Sequence, residues 1–167
     1  MFQEGGEGVD LFRGVTEEQL TRLLHGLVPR MFWADAVIIN EGDPGDSMFV
    51  VLNGSVRVVT GLGTKTEVKI ADRLIGQLVG EVNFVSGGVR SATVIANEAS
   101  IVIEFEKTHI LAEMEKDLAL ARQLTWNIAQ VLADRLRAAT AKVGHPYPRV
   151  LSEETIERLR AHAAAKR

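Results

Sequence analysis

The sequence predicts a mainly β domain, a sandwich or jelly roll, with helices on either side. Three observations predict it. Short strand-like apolar runs recur every 8–12 residues or so between residues 30 and 105, separated by turn residues. A short amphipathic helix precedes this region, and apolar residues at helical spacing follow it. At 167 residues the chain is long enough for one domain with a sizeable core.

The first helix is predicted to begin after Thr16. Thr16 and Gln19 fit a capping box, in which each side chain accepts a hydrogen bond from the other residue's backbone N–H. Gly26 and Pro29 mark the end of the helix. The Gly-rich, acidic residues 1–14 before it are predicted to be a flexible N-terminus.

Seven strands are predicted in the β region. The clearest turn is Asn53-Gly54, which is typical of a two-residue β-hairpin. The predicted strands lie near residues 30–33, 37–40, 47–52, 55–60, 66–71, 92–96 and 100–105. Asp43 and Asp46 flank another turn, but they lack the carboxylate ladder of an EF-hand, so no calcium site is expected.

Two helices are predicted after the strands, at residues 109–116 and 117–142. The longer helix has two apolar stripes, which indicates two packing surfaces. One stripe contains Leu118, Ala121, Thr125, Ile128 and Leu132, and the other contains Leu120, Leu124 and Val131. Either one stripe packs on the β domain while the other meets a second subunit, or both pack on the same domain. A linker and a short last helix are predicted within residues 141–167.

Composition and charge argue against several classes of protein. The chain has no cysteine, and its net charge of −3 gives no reason to expect nucleic-acid binding. It has no basic, apolar leader and no run of 18 apolar residues, so a cytoplasmic protein without a membrane segment is expected. Its four histidines are isolated, and no catalytic residue or metal site is expected; the chain is predicted not to be an enzyme.

Residues 80–93 are the most informative segment for function. Glu81 lies nine residues before Arg90, with apolar strand-like runs on both sides. A carboxylate accepts hydrogen bonds from hydroxyl groups, and an arginine binds phosphate oxygens. The pair therefore predicts a nucleotide site. The alternative is a structural salt bridge between Glu81 and Arg90 in an empty barrel.

Four motifs, in order, resemble the cyclic nucleotide-binding domain family: EGDPGD at 41–46, NGSV at 53–56, GQLVGE at 76–81 and RSATV at 90–94. The resemblance covers residues 15–140. It implies an eight-stranded jelly roll with an N-terminal helix, a short helix in the phosphate-binding segment, and C-terminal helices that serve as a lid or a dimer contact.

The resemblance also implies the ligand, a cyclic nucleotide, with cAMP favoured over cGMP. Glu81 is expected to bind the ribose 2′-hydroxyl, and Arg90 the exocyclic phosphate oxygens. The full set of implied ligand-binding residues is Gly80, Glu81, Val82, Asn83, Arg90, Ser91 and Ala92. Asn83 departs from the small residue usual at its position, and it either adds a hydrogen bond or crowds the pocket.

The long helix is the implied lid. Its candidate lid residues are Leu124, Asn127, Ile128, Val131 and Leu132, with Asn127 as a reader of the base edge. Too few residues follow for the family's winged helix-turn-helix, so no DNA-binding domain is expected. The output is then a homodimer through this helix or an unidentified effector protein, unless the chain is part of a longer one. The alternative is a ligand-free protein-interaction module with a degenerate pocket.

Overall fold

The structure, a computed structural model, describes residues 11–143, with side chains up to residue 141. The elements are α1 (Glu17–Leu24), β1 (Arg30–Phe32), β2 (Val37–Ile39), β3 (Met48–Asn53), β4 (Val56–Thr60), β5 (Val68–Arg73), β6 (Leu78–Val79), α2 (Glu81–Ser86), β7 (Thr93–Ala96), β8 (Ser100–Phe105), α3 (Lys107–Lys116) and α4 (Leu118–Val143). Residues 1–10 and the predicted last helix at 153–164 lie outside the described residues.

The strands form two antiparallel four-stranded sheets. Their orders are β1-β8-β3-β6 and β2-β7-β4-β5. This arrangement confirms the predicted eight-stranded jelly roll with flanking helices. The strand missing from the seven predicted by periodicity is β6, which has only two residues and so cannot show an alternating pattern. It is defined by its pairing with β3, where Phe49 lies opposite Val79.

Strand β3 is buried on both faces because it separates two apolar clusters. Phe49 and Val51 belong to a cluster with residues of the second sheet, such as Val56 and Val94. Met48 and Val50 belong to the other cluster, which contains residues of all four helices. Successive side chains of a strand point to opposite faces, so a strand between two clusters has a continuous apolar run.

Helix α4 uses one of its two predicted stripes for this second cluster. Leu120, Leu124 and Val131 are buried in it, and Ile128 joins them because it lies one helical turn from its neighbours in the stripe. Leu118, at the start of the other stripe, is exposed. From Arg135 onward, the helix belongs to a second compact unit.

Residues 11–14 are packed against the domain, unlike the flexible N-terminus predicted for residues 1–14. Leu11 is buried, and the Phe12 ring lies 5.6 Å from the Phe105 ring. Leu11 belongs to the apolar cluster that contains residues of all four helices, and Phe12 packs against it. The hydrophobic residues of the segment therefore hold it on the domain. The predicted capping box of α1 is confirmed, with Gln19 N–H donating to the Thr16 hydroxyl at 3.2 Å.

Candidate functional site

The predicted binding segment forms β6, α2 and the loop that leads into β7. Gly80 precedes α2 with a φ of +79°, a conformation that favours glycine. Glu81, the first residue of the helix, is only 2% exposed. Arg90, in the following loop, is 7% exposed. Two ionisable side chains that the sequence singles out are therefore both buried in this part of the jelly roll.

The Arg90 guanidinium is held by neutral acceptors. Its Nη1 donates to the Ser47 carbonyl at 2.5 Å and to the Gly80 carbonyl at 3.4 Å, and its Nη2 donates to the Ser47 hydroxyl at 2.8 Å. Within residues 11–141, no ion pair joins this guanidinium to a carboxylate. The structure therefore contains no salt bridge between Glu81 and Arg90, which was the alternative interpretation of this pair.

Burial lowers the pKa of Arg90, while the charges of Glu104 and Asp46 act in the opposite direction. An arginine nonetheless stays protonated in proteins, so its charge persists inside the domain. A buried charge without a paired counterion is costly. The site is consequently suited to an anion, which would pair with the guanidinium directly.

Ser47 connects Arg90 to a carboxylate on β8. The Ser47 hydroxyl accepts from Arg90 and donates to Glu104 Oε1 at 2.6 Å. The other oxygen of Glu104 binds Arg30 Nη1 at 3.2 Å. The sequence did not predict Ser47 or Glu104 as site residues. Glu104 could have been noticed, because it is a carboxylate within the apolar run of β8.

Two glycines make room for the guanidinium. A Cβ at Gly80 would lie 2.9 Å from Arg90 Nη1, and a Cβ at Gly45 would lie 2.8 Å from its Nε. The sequence indicates Gly80 as a site residue but indicates Gly45 only as a turn residue. Gly45 is therefore a further residue on which the placement of Arg90 depends.

The loop that carries Arg90 is fastened to the turn at residues 42–44. The Arg90 N–H donates to the Asp43 carbonyl at 2.8 Å, and the Arg90 carbonyl accepts from Gly42 N–H at 2.9 Å. Pro44 and Val89 form an isolated β-bridge beside these bonds. The motif at 41–46, which the sequence predicts to be a turn, thus fixes the backbone of the arginine.

The remaining predicted ligand residues lie around this loop. Asn83 is buried, and its side-chain amide binds the backbone of residues 87–91. Val82 and Ser91 are exposed, and Ala92 is half-buried. Their contacts with a ligand stay a prediction.

Four of the five predicted lid residues of α4 lie in or against the apolar cluster that contains residues of all four helices. Leu124, Ile128 and Val131 are buried in the cluster that also contains Phe84 of α2, and Leu132 packs against it. Asn127 is buried too, and it donates its amide hydrogens to the carbonyls of Leu11 at 2.7 Å and Arg13 at 2.9 Å. Base recognition by Asn127 stays a prediction, and it requires that these two bonds be released.

Helix α4 also exposes an apolar surface on its other side. Leu118 and Trp126 are the large exposed residues there, and Trp126 is 62% exposed. The residues that line this surface include Leu118, Ala121, Arg122, Thr125, Trp126 and Ala129. We call these six residues the α4 surface.

Residues 11–143 contain no group of three or more histidine, aspartate or glutamate side chains placed to hold a metal ion. None of the helices in this range is both long and apolar enough to cross a membrane.

A family model and a curated relative match this chain. A model described as a cyclic nucleotide-binding domain matches residues 29–117, just over half of the chain. The chain is 34% identical to the cyclic AMP receptor protein of Thermus thermophilus over 138 residues, which cover 80% of this chain and 60% of that protein. The chain spans 60% or less of the first curated relatives that it matches.

Solved structures share the fold. The catabolite activator protein of Thermus thermophilus has a TM-score of 0.69 and 29% identity, over 81% of this chain and 62% of that one. A cyclic nucleotide-binding domain from Methylobacillus flagellatus has a TM-score of 0.72 over 81% of this chain and 77% of that one. Its identity of 21% supports similarity of fold alone.

Proposed function

The chain belongs to the cyclic nucleotide-binding domain family, and on this premise we propose that it binds a cyclic nucleotide in the jelly-roll pocket. The observation that carries the proposal is Arg90, a buried cation that is bound by neutral groups and has no ion pair within the described residues. A cyclic phosphate supplies the opposite charge. Glu81, buried at the start of α2, accepts a hydrogen bond from the ribose 2′-hydroxyl.

The guanidinium retains donors for the phosphate. Its hydrogen bonds to described residues involve Nη1 and Nη2, and within residues 11–141 no acceptor binds Nε. An arginine has five N–H donors, so donors remain for an anion. Two parallel donors of a guanidinium suit the two exocyclic oxygens of a cyclic phosphate.

We favour cAMP over cGMP as the ligand. The support is the relative named cyclic AMP receptor protein, which matches 80% of this chain. The contacts of Arg90 and Glu81 are with the phosphate and the ribose, which the two nucleotides share, so the preference must come from contacts to the base.

The proposed signal is a shift of α4. Phe84 of α2 belongs to the same buried cluster as Leu124 and Ile128 of α4. A change in the position of α2 on binding therefore reaches α4 through packed side chains. The nucleotide shifts α4 between two positions only as far as it binds one of them more tightly.

The proposed output is a homodimer through the α4 surface or an effector protein that binds there. Leu118 and Trp126 expose apolar area on one side of a long helix, which is a common dimer contact. Regulation by binding, rather than catalysis, is the proposed role, and the cytoplasm is the proposed location.

Isothermal titration of the chain with cAMP, cGMP and cyclic di-GMP tests this function. The proposal predicts saturable binding of one nucleotide per chain, with cAMP tighter than cGMP. Binding of cyclic di-GMP alone would replace the proposed ligand. No binding of any of the three, with α4-mediated association retained, would favour the ligand-free interaction module instead.

A further inference from the structure

Asn83 is a buried polar side chain whose hydrogen bonds reach the loop that carries Arg90. It is 4% exposed. Its Nδ2 donates to the carbonyl of Val89 and, at 3.4 Å, to that of Gly87. Its Oδ1 accepts the backbone N–H of Ser91 at 3.4 Å. These bonds end on residues before and after Arg90, so one amide fastens both sides of the arginine.

The loop before Arg90 contains two glycines, so contacts from other residues are required to order it. Gly87 and Gly88 are consecutive and have φ values of +70° and +85°. A pair of glycines has wide conformational freedom, which must be lost when the loop is ordered. The turn at residues 42–44 holds the backbone of Arg90 from one side. The amide of Asn83 holds the adjoining residues from α2.

We propose that Asn83 is a positioning residue, whose side chain holds the loop at residues 87–91 in the conformation that presents Arg90 before a nucleotide arrives. The inference rests on the proposed function of Arg90 as the phosphate ligand. A loop that is ordered in advance loses less freedom on binding, so Asn83 raises affinity without touching the nucleotide. This role also gives a reason for an amide at a position where the family usually has a small residue.

The test compares Asn83→Ala with Ser86→Ala in the full chain. Ser86 lies on the same helix and is a matched control, because its hydroxyl donates to the carbonyls of Val82 at 2.9 Å and Gly87 at 3.2 Å but does not reach Val89 or Ser91. Amide hydrogen exchange is measured without ligand, and cAMP affinity is measured by titration calorimetry.

The expected result is faster exchange of the Ser91 amide in Asn83→Ala, with little change in Ser86→Ala. Binding of cAMP should weaken about three- to tenfold in Asn83→Ala, with a less favourable binding entropy. Unchanged exchange at Ser91, or unchanged affinity, would overturn the positioning role.

Two further measurements guard against a variant that fails to fold. Asn83→Leu keeps the approximate size but removes the donors and the acceptor without adding a charge beside the phosphate site, so it should change exchange and affinity in the same direction. In the unaltered chain, the side-chain amide protons of Asn83 should exchange slowly, and fast exchange would refute the proposal directly. If the unaltered chain bound no nucleotide while Asn83→Ala still accelerated exchange, the proposed function would fall but the loop contact would stand.

Discussion

The position of Arg90 depends on the absence of a side chain at Gly45. Gly45 is not among the glycines with positive φ, so an alanine there meets no backbone strain. Its Cβ would instead lie 2.8–3.0 Å from three atoms of the guanidinium. The consequence of an added methyl group is therefore steric, and it falls on the one cation that the proposed ligand needs.

Gly45→Ala should weaken cAMP binding about tenfold, because overpacking of this kind displaces the guanidinium. Titration calorimetry measures the loss, and a double-mutant cycle with Arg90→Ala supplies the control. Once Arg90 is removed, the added methyl group should cost no further affinity. An equal cost in both backgrounds would show that Gly45 does not act through Arg90.

Only part of this site is predictable from the sequence. Glu81 and Arg90 are predictable because they lie nine residues apart in one motif. Ser47 and Glu104 are not, because their contacts connect residues 43 and 57 positions apart along the chain. Those contacts exist only once β3 pairs with β8, which places Phe49 opposite Glu104. Strand register of this kind is not legible in one sequence.

At the scale of the elements, Asp117 joins three helices. Its Oδ1 accepts the N–H of Leu120 at 3.0 Å near the start of α4. Its Oδ2 accepts from Arg22 at 2.7 Å and from Gln19 at 2.9 Å, both on α1. The Leu120 N–H, followed by Gln19 and Arg22, lowers the pKa of Asp117 to about 2. Asp117 also follows directly after α3, so it fixes the junction of the three helices.

Asp117→Asn should lower the melting temperature at pH 7, since the charged form is the one bound in the folded state. The folded pKa lies below the ordinary value of 3.8, so this stabilisation is complete above that value and is lost as the pH falls toward 2. Thermal melts of both proteins should therefore converge between pH 4 and pH 2.

The matched control for this prediction is Glu18→Gln. Glu18 also binds Arg22, at 3.2 Å, but its side chain is exposed, and exposed ion pairs contribute little. Its melting temperature should stay close to that of the unaltered chain. A loss at pH 7 as large as that of Asp117→Asn would contradict the account of the junction.

Elements with strong local patterns are predictable, and the others are not. The capping box fixes the start of α1, and the apolar spacing indicates α4. Strand β6 is too short for a pattern, and only its partner β3 defines it. Residues 11–14 belong to a segment whose sequence predicts a flexible N-terminus, but Leu11 is buried in the apolar cluster that contains residues of all four helices.

For the whole molecule, the α4 surface is the exposed apolar surface that a partner would cover. The buried stripe of α4 is occupied within the domain, but Leu118 and Trp126 on the other side are exposed. A second copy of the chain is the occupant that we propose. In a symmetric dimer, each copy would bury the α4 surface of the other.

Trp126→Ser should convert the dimer to a monomer, because it removes the largest apolar side chain of the α4 surface. Sedimentation equilibrium measures the molecular mass. Trp33→Ser is the control, since Trp33 is 68% exposed but lies outside the α4 surface. An unaltered chain that is monomeric at high concentration would contradict the dimer.

A thermal-shift titration with cAMP, on the unaltered chain and on Arg90→Ala, determines whether Arg90 binds the phosphate of the nucleotide. A ligand that binds only the folded state stabilises it by about 2.7 kcal/mol at a hundred times its dissociation constant. We expect a clear rise in melting temperature for the unaltered chain. Arg90→Ala removes the charge that faces the phosphate and should cost about 2–5 kcal/mol of binding, which cuts the stabilisation at the same cAMP concentration to below about 1 kcal/mol and removes most of the rise. An equal rise in a folded Arg90→Ala protein would contradict the assignment of Arg90 as the phosphate ligand.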